Sequence, residues 1–280
     1  MAAIPSTGGT SQAQLILKQQ VRAQRAFSTQ VVLWWGILLF LLVFIFSGIR
    51  ITLGPITLQT IQLDQEFIGQ WATFISEGVP KTLEICVESI FFASILALLA
   101  ALGRLSRLPP VYALSTFYVS LIRGTPLYLQ IFFFFLALPQ LGIVLPGPVA
   151  GVVALSLNYG AYMSEIFRAG ILSVGKGQRE AALALGMKNS QMMRRIVLPQ
   201  ALRLVVPPTG NEFIAMLKDS SLVAATGFVQ EIMWRATKVG RANFRGLEAL
   251  IIAAMWYWAM TLIFTALQSR LEKRMSRGER

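Results

Sequence analysis

The feature that most constrains this chain is an uninterrupted uncharged run at 31–49, VVLWWGILLFLLVFIFSGI. Its length matches the ~20 apolar residues that an α-helix needs to cross a bilayer. A secretory signal peptide would begin nearer the N-terminus, have a shorter apolar core and end in a small-residue cleavage site. We therefore interpret the run as a membrane span that the protein retains.

Composition predicts the same class of protein. Of the 280 residues, 55% are hydrophobic and only 14% are charged, whereas about a quarter of the residues of a soluble domain are charged. The net charge of +12 would suggest nucleic-acid binding in a soluble protein. In an integral membrane protein it indicates Lys and Arg retained on cytoplasmic loops, so no nucleic-acid partner is expected.

Further apolar stretches predict an all-α fold with about six transmembrane helices. The clear ones lie at about 82–102, 112–139, 148–170 and 250–270. The stretch 112–139 is broken by the sequence RGTP at 123–126. A sixth stretch, 203–229, is weaker because it contains two prolines and several charged residues.

The distribution of charge predicts an orientation, since basic loops stay on the cytoplasmic side. The acidic segment 51–80 is predicted to lie outside. If 203–229 crosses the membrane, the basic loop 230–247 lies outside against the rule. If it does not cross, the basic tail lies outside instead. Charge alone leaves both topologies open. The segments predicted to lie inside are 1–30, 103–110, 171–200 and the tail after 271.

The chain contains one cysteine, Cys86, and no histidine. An internal disulfide, a histidine-based metal site and a Ser-His-Asp triad are therefore excluded. We predict no catalytic residue and no metal ligand, and we interpret Cys86 as a small apolar packing residue.

The stretch 169–187, AGILSVGKGQREAALALGM, begins like a phosphate-binding loop. Gly170, Gly175 and Lys176 have the spacing of G-x-x-x-x-G-K-[ST]. A true loop of this kind follows a β-strand and has Ser or Thr after the lysine to bind Mg²⁺. Here the preceding segment is a predicted membrane helix and Gly177 has no hydroxyl, so nucleotide binding by this chain is not predicted.

The second half of that stretch predicts a helix–turn–helix. GQREAALALG forms a short helix that Gly186 stops, because the position after a helix favours glycine. Asn189 or Ser190 caps a second helix, QMMRRIVLP, which Pro199 closes. A cytoplasmic loop of this length is longer than a simple connection. From the pattern alone, it either binds a partner protein or lies on anionic lipid headgroups.

The residues from Glu180 to Leu202, EAALALGMKNSQMMRRIVLPQAL, resemble the EAA loop of ABC-importer permeases: E-A-A, then L-G, then I-x-L-P. Neighbouring segments are similar to the polar amino-acid uptake branch of that family, in the family's order. The similarity covers about 79–271, and the first span lies outside it. These segments are LIRGTPLYLQ (121–130), NYGAYMSEIFRAGI (158–171), PPTGNEF (207–213) and LKDSSL (217–222).

The resemblance implies a five-helix ABC importer type I permease core preceded by one extra helix, with 203–229 as a true span. It places the protein in the inner (plasma) membrane of a prokaryote, with both termini cytoplasmic. The implied organisation is a cytoplasmic tail (1–30), an extra N-terminal helix (31–50), a periplasmic segment (51–78), the permease domain (79–271) with a coupling loop (175–200), and a basic cytoplasmic tail (272–280).

The resemblance also implies that the loop is a coupling helix that enters a cleft on separate ABC ATPase subunits. Small alanines permit close approach, and Glu180 offers a carboxylate for charge-assisted hydrogen bonds. This chain would bind no cofactor, because ATP and Mg²⁺ would bind the ATPase. Further implied partners are a substrate-binding protein, a second permease and membrane lipid. Loop 230–247 is either the docking surface for the binding protein or an ordinary interfacial amphipathic helix. The matching positions are Glu180, Ala181, Ala182, Gly186, Leu198 and Pro199.

Charged residues at membrane depth usually face a cavity or a partner. Glu165 and Arg168 lie three residues apart on the fourth span and form either a structural ion pair or a gate. Arg123 either extends its charged group to the membrane surface or caps carbonyls that are freed by the adjacent break. Lys218 and Asp219 interrupt the fifth span.

Broken helices near the bilayer midplane are where small substrates bind. Each residue of the predicted path could instead form helix–helix hydrogen bonds. Glu84 and Glu88 share one helix face, where they either favour cationic ligands or form a solvated edge with Lys81 close to Glu84. The predicted path residues are Asn158, Tyr162, Glu212 and Ser220.

The sequence therefore predicts a transport subunit rather than an enzyme. It would take up amino acids, polar or charged ones, by alternating access coupled to ATP hydrolysis on a partner. One alternative is an ion-coupled secondary amino-acid transporter, which would show an internal repeat. Another is a membrane scaffold. Neither alternative explains the ordered cytoplasmic loop.

Overall fold

One long helix, α1 (Gly9–Ile45), makes up most of the first of the two units of the chain, Met1–Gln65. The computed structural model describes residues 9–53 and 56–276. The helix includes most of the span predicted at 31–50 and ends earlier, at Ile45. It also extends back through the predicted tail, because no proline or glycine interrupts residues 10–30. Residues 1–8 of that tail lie outside the described residues.

A short β-hairpin follows α1 and is a local departure from the all-α prediction. Its strands, β1 (Arg50–Leu53) and β2 (Ile56–Gln59), pair antiparallel with Leu53 opposite Ile56. Each strand contains an adjacent pair of β-branched residues, Ile and Thr, and the two strands flank a Gly-Pro dipeptide, which is a turn signal. The predicted segment 51–78 thus contains a hairpin that a search for helices alone overlooks.

The second unit, Glu66–Arg280, is helical and contains the segment that resembles permeases. Two π-helical segments, Phe133–Ala137 and Met193–Val197, and two 3₁₀ segments, Leu138–Leu141 and Ser220–Thr226, extend its helices. The helices are α2 (Gln65–Ser76), α3 (Val79–Arg104), α4 (Pro109–Arg123), α5 (Leu127–Phe132), α6 (Gly147–Ser173), α7 (Lys176–Ala184), α8 (Asn189–Met192), α9 (Leu198–Asp219), α10 (Ile232–Ala242) and α11 (Gly246–Ser276).

Three helical segments are long and apolar enough to cross a membrane: Ile16–Ile45, Gln65–Arg104 and Gly246–Met275. A fourth is added if α4 and Leu127–Leu141, whose axes differ by 104°, form one broken span. Helices α6 and α9, with 27 and 22 residues, are too polar to meet the same criterion. The count of six spans therefore stays a prediction.

The pairing of α3 with α6 forms the centre of the second unit. Ala93, Ala97 and Ala101 on α3 are fully buried. A Cβ atom placed on Gly160 of α6 would lie 2.9 Å from the Cβ of Leu96, so the approach requires glycine. Small residues allow helices to pack closely inside a membrane, where lipid chains compete with every apolar contact.

Helix α10 is fixed to α11 by a buried carboxylate. Glu231, which is fully buried, caps α10 and accepts hydrogen bonds from the backbone N–H groups of Met233 (2.8 Å) and Trp234 (2.6 Å). The hydroxyl of Tyr257 on α11 donates a third hydrogen bond at 2.6 Å. Burial raises the pKa of Glu231 to about 7, although the three hydrogen bonds act to lower it.

We predict that Glu231 makes folding stability depend on pH. The folded-state pKa of Glu231 lies above the ordinary value of 4.5. Its contribution to the free energy of unfolding is therefore complete below pH 4.5 and is lost as the pH rises through about 7. Relative to Glu231→Gln, the wild type should therefore lose thermal stability across this window. Unfolding midpoints in detergent, measured across this pH window, check the prediction.

The matched control is Glu66→Gln, which replaces a glutamate at an exposed position on α2. A difference in midpoint between wild type and Glu231→Gln that stays constant across the window would contradict the prediction.

Candidate functional site

The turn between α7 and α8 is fixed by Gly186, as the sequence predicts. Gly186 has φ of +76°, which glycine adopts without strain. The N–H of Gly186 donates to the carbonyl of Leu183 (2.9 Å), and the N–H of Met187 donates to that of Ala182 (3.1 Å). This pair of bonds is the Schellman arrangement, which satisfies carbonyl groups at the end of a helix.

The loop has an apolar core of its own. Ile171 and Val174 at the end of α6 pack with Val197 and Ala201 at the start of α9. Ala182 of α7 is 2% exposed and belongs to this core. A loop that only connects two spans does not need such a core, so this one is built to hold a defined shape.

The residues of the EAA motif fall into two groups according to their exposure to solvent. Glu180, Ala181 and Gly186 are exposed, and Leu185 beside them is 84% exposed. Ala182 points inward. The exposed group forms an unpartnered tip, whereas Ala182 contributes packing beneath it.

Pro199 does not close the second helix of the loop, contrary to the prediction. The chain runs from α8 through the π-helical segment Met193–Val197 directly into α9, where Pro199 occupies the first turn. The wider π-helical turn accommodates Pro199, which has no backbone N–H. Leu198 is the first residue of α9 and packs against the loop core.

Neither Asn189 nor Ser190 caps α8, which corrects a second prediction. The N-cap residue is Lys188, and its backbone N–H donates to the side-chain oxygen of Gln191 at 3.0 Å. The cap is therefore supplied by the glutamine three residues later, as in one half of a capping box.

A cluster of charges on α3, α4 and α6 centres on Glu165. Arg104 lies 2.5 Å from one carboxylate oxygen and Arg123 lies 3.4 Å from the same oxygen. Arg168 lies 3.1 Å from the other oxygen. The predicted pair of Glu165 and Arg168 is thus part of a four-residue network in which one carboxylate joins three helices.

The break after Arg123 is present where the sequence predicts it. Helix α4 ends at Arg123 and α5 begins at Leu127. The buried side chain of Gln130 donates to the carbonyls of Ile122 (2.8 Å) and Thr125 (3.1 Å). Backbone groups freed inside a membrane must be satisfied in this way. Arg123 instead reaches Glu165.

Asn158, a predicted path residue, supports this break. Its side-chain amide donates to the Oε1 atom of Gln130 at 3.1 Å, and only 7% of its surface is exposed. Ser220 is fully buried, and its hydroxyl donates to the carbonyl of Leu217 at 2.8 Å. In this conformation both residues form structural hydrogen bonds.

The other predicted path residues are more accessible. Tyr162 is 42% exposed, and its ring lies 5.0 Å beneath the guanidinium of Arg123. Glu212 is half-buried and Lys218 is exposed. The carboxylate of Asp219 accepts a hydrogen bond from the Tyr159 hydroxyl at 2.8 Å, at the point where α9 changes to the 3₁₀ segment.

A recess of about 610 Å³ lies between α10, the segment Ser220–Thr226 and Tyr128 of α5. The ammonium group of Lys238 lies 4.7 Å from the ring of Trp234, and Arg241 lines the same recess. None of the described residues that line it is acidic. Its charge therefore favours carboxylate groups.

Several residues that shape the site carry no local signal in the sequence. Arg104 reaches Glu165 across 61 positions, and Gln130 and Tyr159 act through partners on other helices. An apolar helix that contains a single amide, as α5 does, is the one hint that could have singled out Gln130.

We predict that Glu165 and Arg104 are energetically coupled. Glu165→Ala leaves three arginines facing one another and should lower stability by about 2 kcal/mol, between the values for exposed and buried ion pairs. Arg104→Ala combined with Glu165→Ala should cost less than the sum of the two single variants. Thermal or denaturant unfolding in detergent measures the cycle.

The control for this cycle is Glu66→Ala, which removes an exposed glutamate from α2 and should leave stability unchanged. If the losses of stability in Arg104→Ala and Glu165→Ala were strictly additive, the two residues would not be energetically coupled.

Comparison with known proteins agrees with this geometry. Residues 93–277 match the family described as "Binding-protein-dependent transport system inner membrane component". The L-cystine transport system permease protein TcyB of Bacillus subtilis (strain 168) is 40% identical over 204 residues, which cover 72% of this chain and 87% of that protein. The arginine transport system permease protein ArtQ of the same strain is 41% identical over 207 residues, covering 74% and 94%.

A solved structure shares the fold. It is a crystal structure of an amino acid ABC transporter with histidines, and it superposes with a TM-score of 0.71 at 36% identity, over 76% of this chain and 99% of that chain. The match to the family begins within α3 and continues through α11, and it leaves out α1, the hairpin and α2. The chain therefore belongs to the family of binding-protein-dependent transport system inner membrane components, the permease subunits of ABC transporters.

Proposed function

We propose that this protein is the permease of an importer that takes up amino acids, delivered by a substrate-binding protein and driven by ATP hydrolysis on separate ATPase subunits. The observation that carries the proposal is the loop after α6. It has its own buried core and an exposed tip formed by Glu180, Ala181, Leu185 and Gly186. Relatives with about 40% identity are permeases of cystine and arginine transport systems.

The loop acts as a lever in this proposal. Its exposed tip inserts into a cleft on the ATPase subunit. ATP and Mg²⁺ bind that subunit and not this chain. Because Ala182 packs with residues from α6 and α9, a force on the tip is passed to both helices. Leu198 and Pro199 lie where that force enters α9.

A binding protein and a second permease complete the proposed assembly. The cationic recess beside α10 supports docking of an acidic surface on the binding protein, since Lys238 and Arg241 line it. The second permease is another copy or a homologous chain, because pores of this kind can be built by either. The proposed location is the inner membrane of a prokaryote with both termini in the cytoplasm.

Amino acids of a polar or charged kind are the proposed substrates. Tyr162, Glu212 and Lys218 offer an aromatic ring, a carboxylate and an ammonium group at accessible positions. An amino acid carries both charges, so a path with both signs suits it. Asn158 and Ser220 would shape this path through the hydrogen bonds that they already make.

The exposed tip provides the test of coupling. We predict that Leu185→Ser reduces copurification of the ATPase at least about tenfold, because apolar contacts at the centre of an interface carry much of the binding energy. Leu185 is 84% exposed, so the variant should fold normally. The matched control is Leu172→Ser near the end of α6, which is 49% exposed and is not one of the tip residues.

Retention of the ATPase by Leu185→Ser, or equal loss from both variants, would contradict the proposal that the loop is a lever.

Uptake into proteoliposomes separates the proposed importer from an ion-coupled transporter. The expected uptake requires ATP and the binding protein. Full uptake without ATP, under an intact ion gradient, would overturn the proposal of an ATP-driven importer.

A further inference from the structure

A long groove lies between α3 and α6. Its volume is about 670 Å³. Most of its wall is apolar and is formed by Phe92, Ile95 and Leu96 on α3 and by Val149 and Val153 on α6. Lys81 to Leu96 extend about 22 Å along α3, at 1.5 Å per residue. That length exceeds one leaflet of a bilayer, about half of 30 Å.

Charged residues are confined to one end of the groove. Lys81 and Glu84 form an ion pair of 2.7 Å, and Glu88 lies one turn further along α3. Glu88 is exposed and makes no hydrogen bond or ion pair with any of the described residues. A carboxylate on a membrane helix without a partner is costly, so it marks a place where a cation binds.

The charged end lies at the level of the lipid headgroups. Arg104, at the other end of α3, is about 30 Å from Glu84 and about 24 Å from Glu88 along the helix axis. When Arg104 lies at one boundary of a 30 Å hydrocarbon core, Glu84 reaches the other boundary and Glu88 lies just inside it. Val149, in the first turn of α6, lines the same end.

We propose that this groove binds one phospholipid with a primary-ammonium headgroup, phosphatidylethanolamine. The ammonium group donates to the carboxylate of Glu88, and the phosphate accepts from Lys81, which keeps donors free beyond its bond to Glu84. One acyl chain lies along the apolar wall towards Leu96. The proposal is independent of the transport function.

The charges select among lipids. With one cation and two carboxylates, the charged end repels an anionic headgroup such as phosphatidylglycerol. A phosphatidylcholine headgroup has a quaternary ammonium without a hydrogen to donate. A free amino acid would have to place a second polar group against the apolar wall, which disfavours it as occupant.

Lipid retention tests the proposal. The full-length chain is placed in nanodiscs of phosphatidylcholine with equal small fractions of phosphatidylethanolamine and phosphatidylglycerol, and retained lipids are counted by native mass spectrometry. Wild type should retain phosphatidylethanolamine over phosphatidylglycerol. Glu88→Gln should lower that preference about tenfold, the effect of losing one charge-assisted hydrogen bond. Glu66→Gln, which changes an exposed glutamate outside the groove, should leave it unchanged.

A second variant fills the groove. Val149 is 44% exposed, so Val149→Trp is compatible with folding and should abolish the retained lipid. Leu262→Trp, at a 52% exposed position on α11, is the control that should retain it. Equal retention of the two lipids by wild type, or an unchanged preference in Glu88→Gln, would overturn the proposal. A loss of dimer mass in Val149→Trp with lipid unchanged would also overturn it and assign the groove to a second copy of the chain.

Discussion

The close contact between α3 and α6 is the interaction on which the second unit depends. Inside a bilayer, apolar side chains gain little by leaving lipid, so helices associate where their backbones can come close. Alanines on α3 and Gly160 on α6 provide that approach. The neighbouring helices also pack closely at glycines. Gly103 of α3 leaves space for Ser115 of α4, and Gly170 of α6 leaves space for Val205 of α9. The positions of α4 and α9 are therefore set by the α3–α6 pair.

Features that depend on local sequence could be predicted. The run at 31–49 indicates a span without any tertiary information, and Gly186 ends α7 because only local backbone geometry is involved. The break at 123–126 follows from proline in the same way. Pro199 shows the limit of such reasoning. A proline usually ends a helix, but a π-helical segment before it lets the helix continue through the loop.

Features that depend on distant partners could not be predicted. Spacing on one helix pairs Glu165 with Arg168, but only the fold brings Arg104 and Arg123 to the same carboxylate. Asn158 is a polar residue of the kind that binds substrates, yet its side-chain amide donates a hydrogen bond to Gln130. A polar residue in a membrane helix has to be satisfied by something, and the sequence does not say whether that partner is a substrate or a neighbouring helix.

The arrangement of charges has a consequence for movement of α6. Arg168 and Glu165 lie on the same helix, so their contact moves as a unit. Arg104 belongs to α3 and Arg123 to the end of α4, so any shift of α6 relative to those helices changes their distances to Glu165. The loop core is attached to the end of α6 through Ile171 and to α9. A displacement of the loop that moves α6 would therefore change the distances within the Glu165 cluster, where α6 makes charge contacts with α3 and α4.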